Sequence, residues 1–119
     1  MTRFLIATAL ALILPIGLAA LGLTKALGAH IWWDVNTILI GAPIGVFLSF
    51  LLAGKWPNAV KRTILWGLLL IGSFALAKYG QTAFANSYAE DQLAGKLWYF
   101  GWIATGAAAA GTIYSAIKD

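Results

Sequence analysis

Residues 35–54 read VNTILIGAPIGVFLSFLLAG, a run of 20 residues without a charged side chain. A helix of about 20 apolar residues crosses the hydrocarbon core of a bilayer, because each residue adds about 1.5 Å and the core is roughly 30 Å thick. Three other stretches have a similar length and few charges. The sequence therefore predicts an all-α, polytopic membrane protein, a single domain with a bundle of four transmembrane helices at residues 4–28, 35–54, 63–83 and 97–117.

The composition of the whole chain agrees with a membrane protein. Charged residues make up 10% of the 119 residues and hydrophobic residues 61%, whereas soluble domains contain about 25% charged residues. A soluble protein this short could not bury so much apolar surface, so lipid must cover the remainder. The chain has no cysteine, which excludes disulfides, thiolate metal sites and cysteine nucleophiles.

The first apolar stretch also resembles the core of a secretory signal peptide, because Arg3 precedes it and small residues follow it. Its apolar run from Phe4 to Leu23 has 20 residues, which is more than the roughly 7–15 of a signal-peptide core. We therefore expect an uncleaved first transmembrane helix.

Basic residues predict the orientation of the spans, because Lys and Arg near a span stay on the cytoplasmic side. The link between the second and third spans, residues 55–62, contains three cations and no acid, whereas the next link contains Glu90 and Asp91. We expect both termini in the cytoplasm and the protein in the inner membrane of a bacterium. Cations at the ends of spans anchor helices and do not indicate nucleic acid as a partner.

Small residues at a spacing of four predict the surfaces through which the helices pack. Lipid tails are as apolar as leucine, so membrane helices associate where small residues let their backbones approach closely. This pattern could serve packing within one bundle, or it could meet another subunit. The predicted packing residues are Gly41, Gly45, Ser49 and Ala53 in the second span and Gly106, Ala110 and Gly111 in the fourth.

Pro43 lies inside the second span between two glycines. Proline removes a backbone hydrogen bond and usually kinks a helix, so Pro43 is the candidate for a functional bend. Transporters use broken helices at their binding sites. Prolines also occur in membrane helices without such a role, because neighbouring groups satisfy the freed carbonyl.

Lys78 lies roughly 22 Å along the third span, counted from Thr63 at the helical rise. At that depth its ammonium group can reach the outer interface or pair with an acid there. The acids expected on that side are Asp34, Glu90 and Asp91, and with Lys78 they form the predicted outer charge cluster. A contact with a substrate or ion is the alternative interpretation.

No cofactor, metal site or catalytic site is predicted. His30 is the only histidine, so one chain cannot supply the paired axial ligands of a b-type haem, although His30 could hold a single pigment or haem. Nucleophilic catalysis needs an activated nucleophile beside a base, and metal catalysis needs at least three clustered ligands. We therefore do not expect an enzyme.

Two functions of different classes fit this sequence. The first is a non-enzymatic accessory subunit that packs against other membrane proteins in a larger inner-membrane complex. The alternative is a small homo-oligomeric channel or transporter. Cation-coupled carriers generally place an acid within a span, and the acids here lie outside the predicted spans, so this alternative means an uncoupled pore or an anion path along Lys25 and Lys78. A phage-type pore-former is a third interpretation.

Overall fold

The computed structural model describes residues 2–27, 34–55, 58–86 and 92–117. Within these ranges all regular secondary structure is helical, which confirms the predicted all-α class. The helices are α1 (Thr2–Ala20), α2 (Leu23–Ala26), α3 (Asp34–Lys55), α4 (Ala59–Asn86) and α5 (Gln92–Ile117).

In the described part of the chain, three helices are long and apolar enough to cross a membrane: Arg3–Ala20, Val35–Lys55 and Ala59–Asn86. This agrees with an integral membrane protein. The predicted fourth span lies within α5, which is not one of these three helices. A four-span bundle therefore stays a prediction.

The first predicted span, residues 4–28, is interrupted rather than continuous. Helix α1 ends at Ala20, and Gly22 adopts a left-handed backbone with φ of 96° before the short helix α2 begins. Glycine adopts this conformation without steric cost because it has no Cβ. The amide groups of Leu21 and Gly22 donate to the carbonyls of Gly17 and Ala19, which closes the end of α1.

Helix α5 lies at the centre of the fold and packs against α1, α3 and α4, whereas α3 and α4 scarcely touch each other. Aligned pairs of residues give the directions of these helices. Gly41 of α3 lies against Ile103 and Gly45 against Ala107, so α3 and α5 run in parallel. Helix α4 runs antiparallel to α5, and α1 and α4 do not pack directly against each other in the described residues.

The two ends of the bundle differ in charge. We call one the basic end, where α1 and α4 begin and α3 and α5 end. Its described cations are Arg3, Lys55, Lys61 and Arg62. We call the other the far end; it holds Lys25 on α2, Lys78 on α4 and Lys96 on α5, and α3 begins there with Asp34.

Candidate functional site

The small residues of α3 lie against α5 within the same chain. A Cβ atom added to Gly41 would collide with the carbonyl of Ile103, and one added to Gly45 would collide with the backbone of Ala107. Ser49 continues this buried face, and Ala53 is half-buried. The stripe that the sequence predicts as a packing surface therefore packs inside the described fold.

The predicted packing residues of α5 face two different helices. A Cβ on Gly106 would lie 2.9 Å from the side chain of Ile38 on α3, whereas one on Gly111 would collide with the indole of Trp66 on α4. Ala110 is fully buried. Because the small side chains of α5 point in several directions, this helix can hold neighbours on more than one side.

Two further glycines, which the sequence analysis does not single out, hold α4 against α5. A Cβ on Gly80 of α4 would lie 2.5 Å from the amide nitrogen of Trp98. A Cβ on Gly101 of α5 would lie 2.8 Å from the Cα atom of Ala77. Glycine is required at both positions because the opposing atoms belong to the backbone and cannot rotate away.

A buried polar cluster lies at the basic end, where Arg62 is only 1% exposed. Arg62 is close enough to Tyr114 for the two side chains to interact electrostatically. Burying a charged side chain is costly unless it is paired or hydrogen-bonded. We call this group the basic-end cluster; its members are Ser49, Arg62, Trp66, Tyr114 and Ser115.

Four side-chain groups of the basic-end cluster make no hydrogen bond within the described structure. They are the hydroxyls of Ser49, Tyr114 and Ser115 and the indole N–H of Trp66. Around them the packing is aromatic: the Phe4 ring meets the rings of Phe50 and Tyr114 edge-on, with centroid distances of 5.7 and 6.3 Å. These residues place hydrogen-bonding groups and a cation at one end of an otherwise apolar bundle.

In the sequence, Arg62 ends a basic link and therefore predicts only the topology. The structure places it in the second turn of α4, four residues before Trp66, so the two side chains lie on the same face of the helix. The spacing between Arg62 and Trp66 was the available signal that this cation faces the bundle.

A large apolar cavity separates α1 from α4, and we call it the central cleft. Its volume is about 500 Å³, and it exists because α1 and α4 each pack on α5 without meeting. Its floor is formed by Trp102, Thr105, Gly106, Ala109 and Ile113 of α5. Trp102 is fixed edge-on against Phe74 of α4 at a centroid distance of 5.6 Å.

Lys78 lies at the far end and links α4 to the end of α2. Its Nζ atom donates to the backbone carbonyl of Leu27 at 3.1 Å and to Oε1 of Gln81 at 3.1 Å. Leu27 also lines the central cleft, so this contact lies at one edge of the cleft. The acids predicted beside Lys78 cannot be compared with it, because Glu90, Asp91 and the side chain of Asp34 lie outside the described residues.

We expect Lys78→Leu to reduce stability only slightly, by at most about 1 kcal/mol, because Lys78 is exposed and exposed polar contacts contribute little. Lys78→Arg should retain the contact. Thermal unfolding of the purified protein in detergent measures the loss, and ion flux into proteoliposomes is measured for the same variants. Near-normal stability of Lys78→Leu with loss of a flux present in the parent would support the channel alternative. Absence of flux in both proteins would contradict it.

The remaining predicted positions have different outcomes. Pro43 lies inside α3, which continues as one helix from Asp34 to Lys55. Its ring is exposed and lines a groove of about 380 Å³ with residues that include Phe4 and Phe47.

His30 lies outside the described residues, so the structure leaves its suggested pigment or haem unaddressed.

Comparison of the chain with protein-family models, with curated proteins and with solved structures gives no match. The functional proposals therefore depend on the packing, the cavities and the polar groups of this chain alone.

Proposed function

We propose that this protein is a non-enzymatic subunit of a larger complex in a bacterial inner membrane, a four-span bundle with both termini in the cytoplasm. Three apolar helices and three cations in the link at residues 55–62 support this topology. The central position of α5 among the candidate spans supports its inclusion as the fourth. A periplasmically active reporter fused after Asp119 should be inactive, and an active fusion would contradict the topology.

The central cleft is the observation that best supports a subunit role. In a closed bundle, side chains would fill the space between α1 and α4. Here the central cleft leaves about 500 Å³ of that space open, with α5 as its floor. The floor contains Thr105, Gly106 and Ala109, and small residues of this kind let a second helix approach closely. Because the cleft is apolar, it is better suited to a partner's side chains than to an ion.

Helix α4 forms one wall of the cleft and is the least buried of the three candidate spans. Four of its 28 residues are buried, and α1 and α3 have larger buried shares. Its exposed side chains include Leu68, Ile71 and Leu76, and Ile71 lines the cleft. We propose that a transmembrane helix of a partner protein packs against α4 and enters the cleft.

A single introduced cysteine can test this contact, because the chain has no cysteine of its own. Ile71→Cys places the label in the cleft. Leu69→Cys is the matched control: both residues are exposed, but positions two apart lie about 200° apart around a helix. With a photoactivatable maleimide in native membranes, we expect Ile71→Cys to give an adduct of one discrete larger mass and Leu69→Cys to give little.

Mass spectrometry of the adduct identifies the partner, and coexpression of two differently tagged copies detects self-association. An adduct with the second tagged copy would assign the cleft to a homo-oligomer. Equal labelling of many proteins from both positions, or no adduct from Ile71→Cys, would contradict the proposed contact.

The alternative, an uncoupled channel or an anion path, is favoured by a different observation. Arg62 is almost completely buried, and cations buried within membrane proteins often line ion pathways. The central cleft does not provide such a pathway, because its lining includes no charged side chain. We therefore place the accessory subunit first.

A further inference from the structure

A second groove lies at the basic end, between α3 and α4. It has a volume of about 410 Å³ and is lined by Leu48, Leu51, Leu52 and Lys55 of α3 and by Trp66 of α4. It remains open because both helices pack on α5 but scarcely on each other. We call it the α3–α4 groove.

The α3 wall of this groove is amphiphilic along its length. Leu48, Leu51, Leu52 and Lys55 follow the spacing of one face of a helix, since they lie at positions i, i+3, i+4 and i+7. Leu48, Leu51 and Lys55 are exposed. A stripe of leucines thus ends in a cation in the last turn of α3. The complementary ligand has an apolar tail and an anionic head.

The electrostatic surroundings agree with an anionic head. Lys61 and Arg62 lie in the first turns of α4, at the same end of the bundle as Lys55, and among the described residues the only acid, Asp34, begins α3 at the far end. The N-terminus of α4 also lies here, and the first turn of a helix carries partial positive charge.

Trp66 forms the α4 side of the groove. Its ring lies against Gly111 of α5, and its residue is 7% exposed. Its indole N–H has no acceptor among the described residues. Trp66 lies seven residues into α4, about 10 Å from the helix start at the helical rise, and indole rings favour the interfacial depth at which lipid ester groups lie.

We propose that the α3–α4 groove binds an anionic phospholipid, with an acyl chain along the three leucines and the phosphate beside Lys55. Trp66 lies beside the ester region. A free phosphate would make no use of the leucines, and a purely apolar partner helix would make no use of Lys55. Only an anionic amphiphile uses both ends of the groove.

Quenching of tryptophan fluorescence by brominated lipids tests this proposal. The protein is reconstituted in vesicles of phosphatidylcholine containing either dibrominated phosphatidylglycerol or dibrominated phosphatidylcholine. Because the chain has six tryptophans, the signal of Trp66 is taken as the difference between the parent and Trp66→Phe. We expect phosphatidylglycerol to associate about fivefold more strongly than phosphatidylcholine, the effect of roughly one lysine near a charged lipid.

Lys55→Gln should reduce this preference to near unity, whereas Lys61→Gln, which changes the same charge outside the groove, should keep most of it. Lys55→Arg should also keep it, and far-ultraviolet circular dichroism verifies that each variant is folded. Added inorganic phosphate should not compete. No preference at Trp66 in the parent would overturn the proposal. An equal loss in Lys55→Gln and Lys61→Gln would replace it with nonspecific surface attraction.

Discussion

Gly45→Leu should prevent α3 from packing on α5 and should abolish the yield of correctly folded protein. A side chain at this position would collide with the carbonyl of Ala107, and its Cβ atom would lie 2.9 Å from the Ala107 Cα atom. Overpacking usually costs about 1–3 kcal/mol. We expect a larger loss here, because α5 is also held by α1 and α4 and cannot withdraw.

The measurement is the amount of monodisperse protein after gel filtration in detergent, together with its thermal midpoint. Gly54→Leu is the matched control, since it makes the same change on the same helix where a Cβ meets no atom within 4 Å. Ile44→Leu tests a neighbouring exposed position. Both controls should behave like the parent. Equal yields of Gly45→Leu and the two controls would show that the α3–α5 contact is not required for folding.

Gly101→Leu should release α4 from α5 while leaving the helices themselves formed. The added Cβ would lie 2.8 Å from the Cα atom of Ala77, where only movement of a whole helix could relieve the contact. Helix α4 is the element most affected because it has almost no contact with any helix other than α5. We expect a loss of at least about 3 kcal/mol, at the upper limit of the usual cost of overpacking.

Circular dichroism distinguishes the release of α4 from α5 from the unfolding of the helices themselves. The far-ultraviolet signal of helix should persist in Gly101→Leu, and the near-ultraviolet signal of fixed aromatic rings, including Trp102 against Phe74, should fall strongly. Gly72→Leu is the control, because a Cβ there meets open space. If Gly101→Leu and Gly72→Leu retain the same near-ultraviolet spectrum, the proposed contact does not fix α4.

The helical class follows from the sequence because the length of an apolar run is a local property. Residues 35–54 alone have the length and composition of a span, and α3 covers them. The break after α1 does not follow in this way. Leu21, Gly22 and Leu23 are as apolar as their neighbours, so hydropathy continues through a point where only the backbone angle of Gly22 changes.

The candidate sites depend on which faces meet, and a single sequence gives little information about that. Gly80 and Gly101 show no conspicuous four-residue pattern with other glycines, and their importance lies in opposing backbone atoms on another helix. The group that Lys78 binds outside its own helix is a backbone carbonyl, which any residue type provides and no sequence motif reveals. Arg62 ends a basic link, so its charge suggests topology rather than burial.

The central position of α5 has a consequence for biosynthesis. The ribosome makes α4 before α5, and in the finished chain α5 provides nearly all of the contacts that hold α4. Helices α1 and α3 contact each other directly and can pack once both are made. Helix α4 has almost no contact with the helices made before it, so its packing depends on α5. The packing of α4 in this protein can therefore form only after α5 has been synthesised.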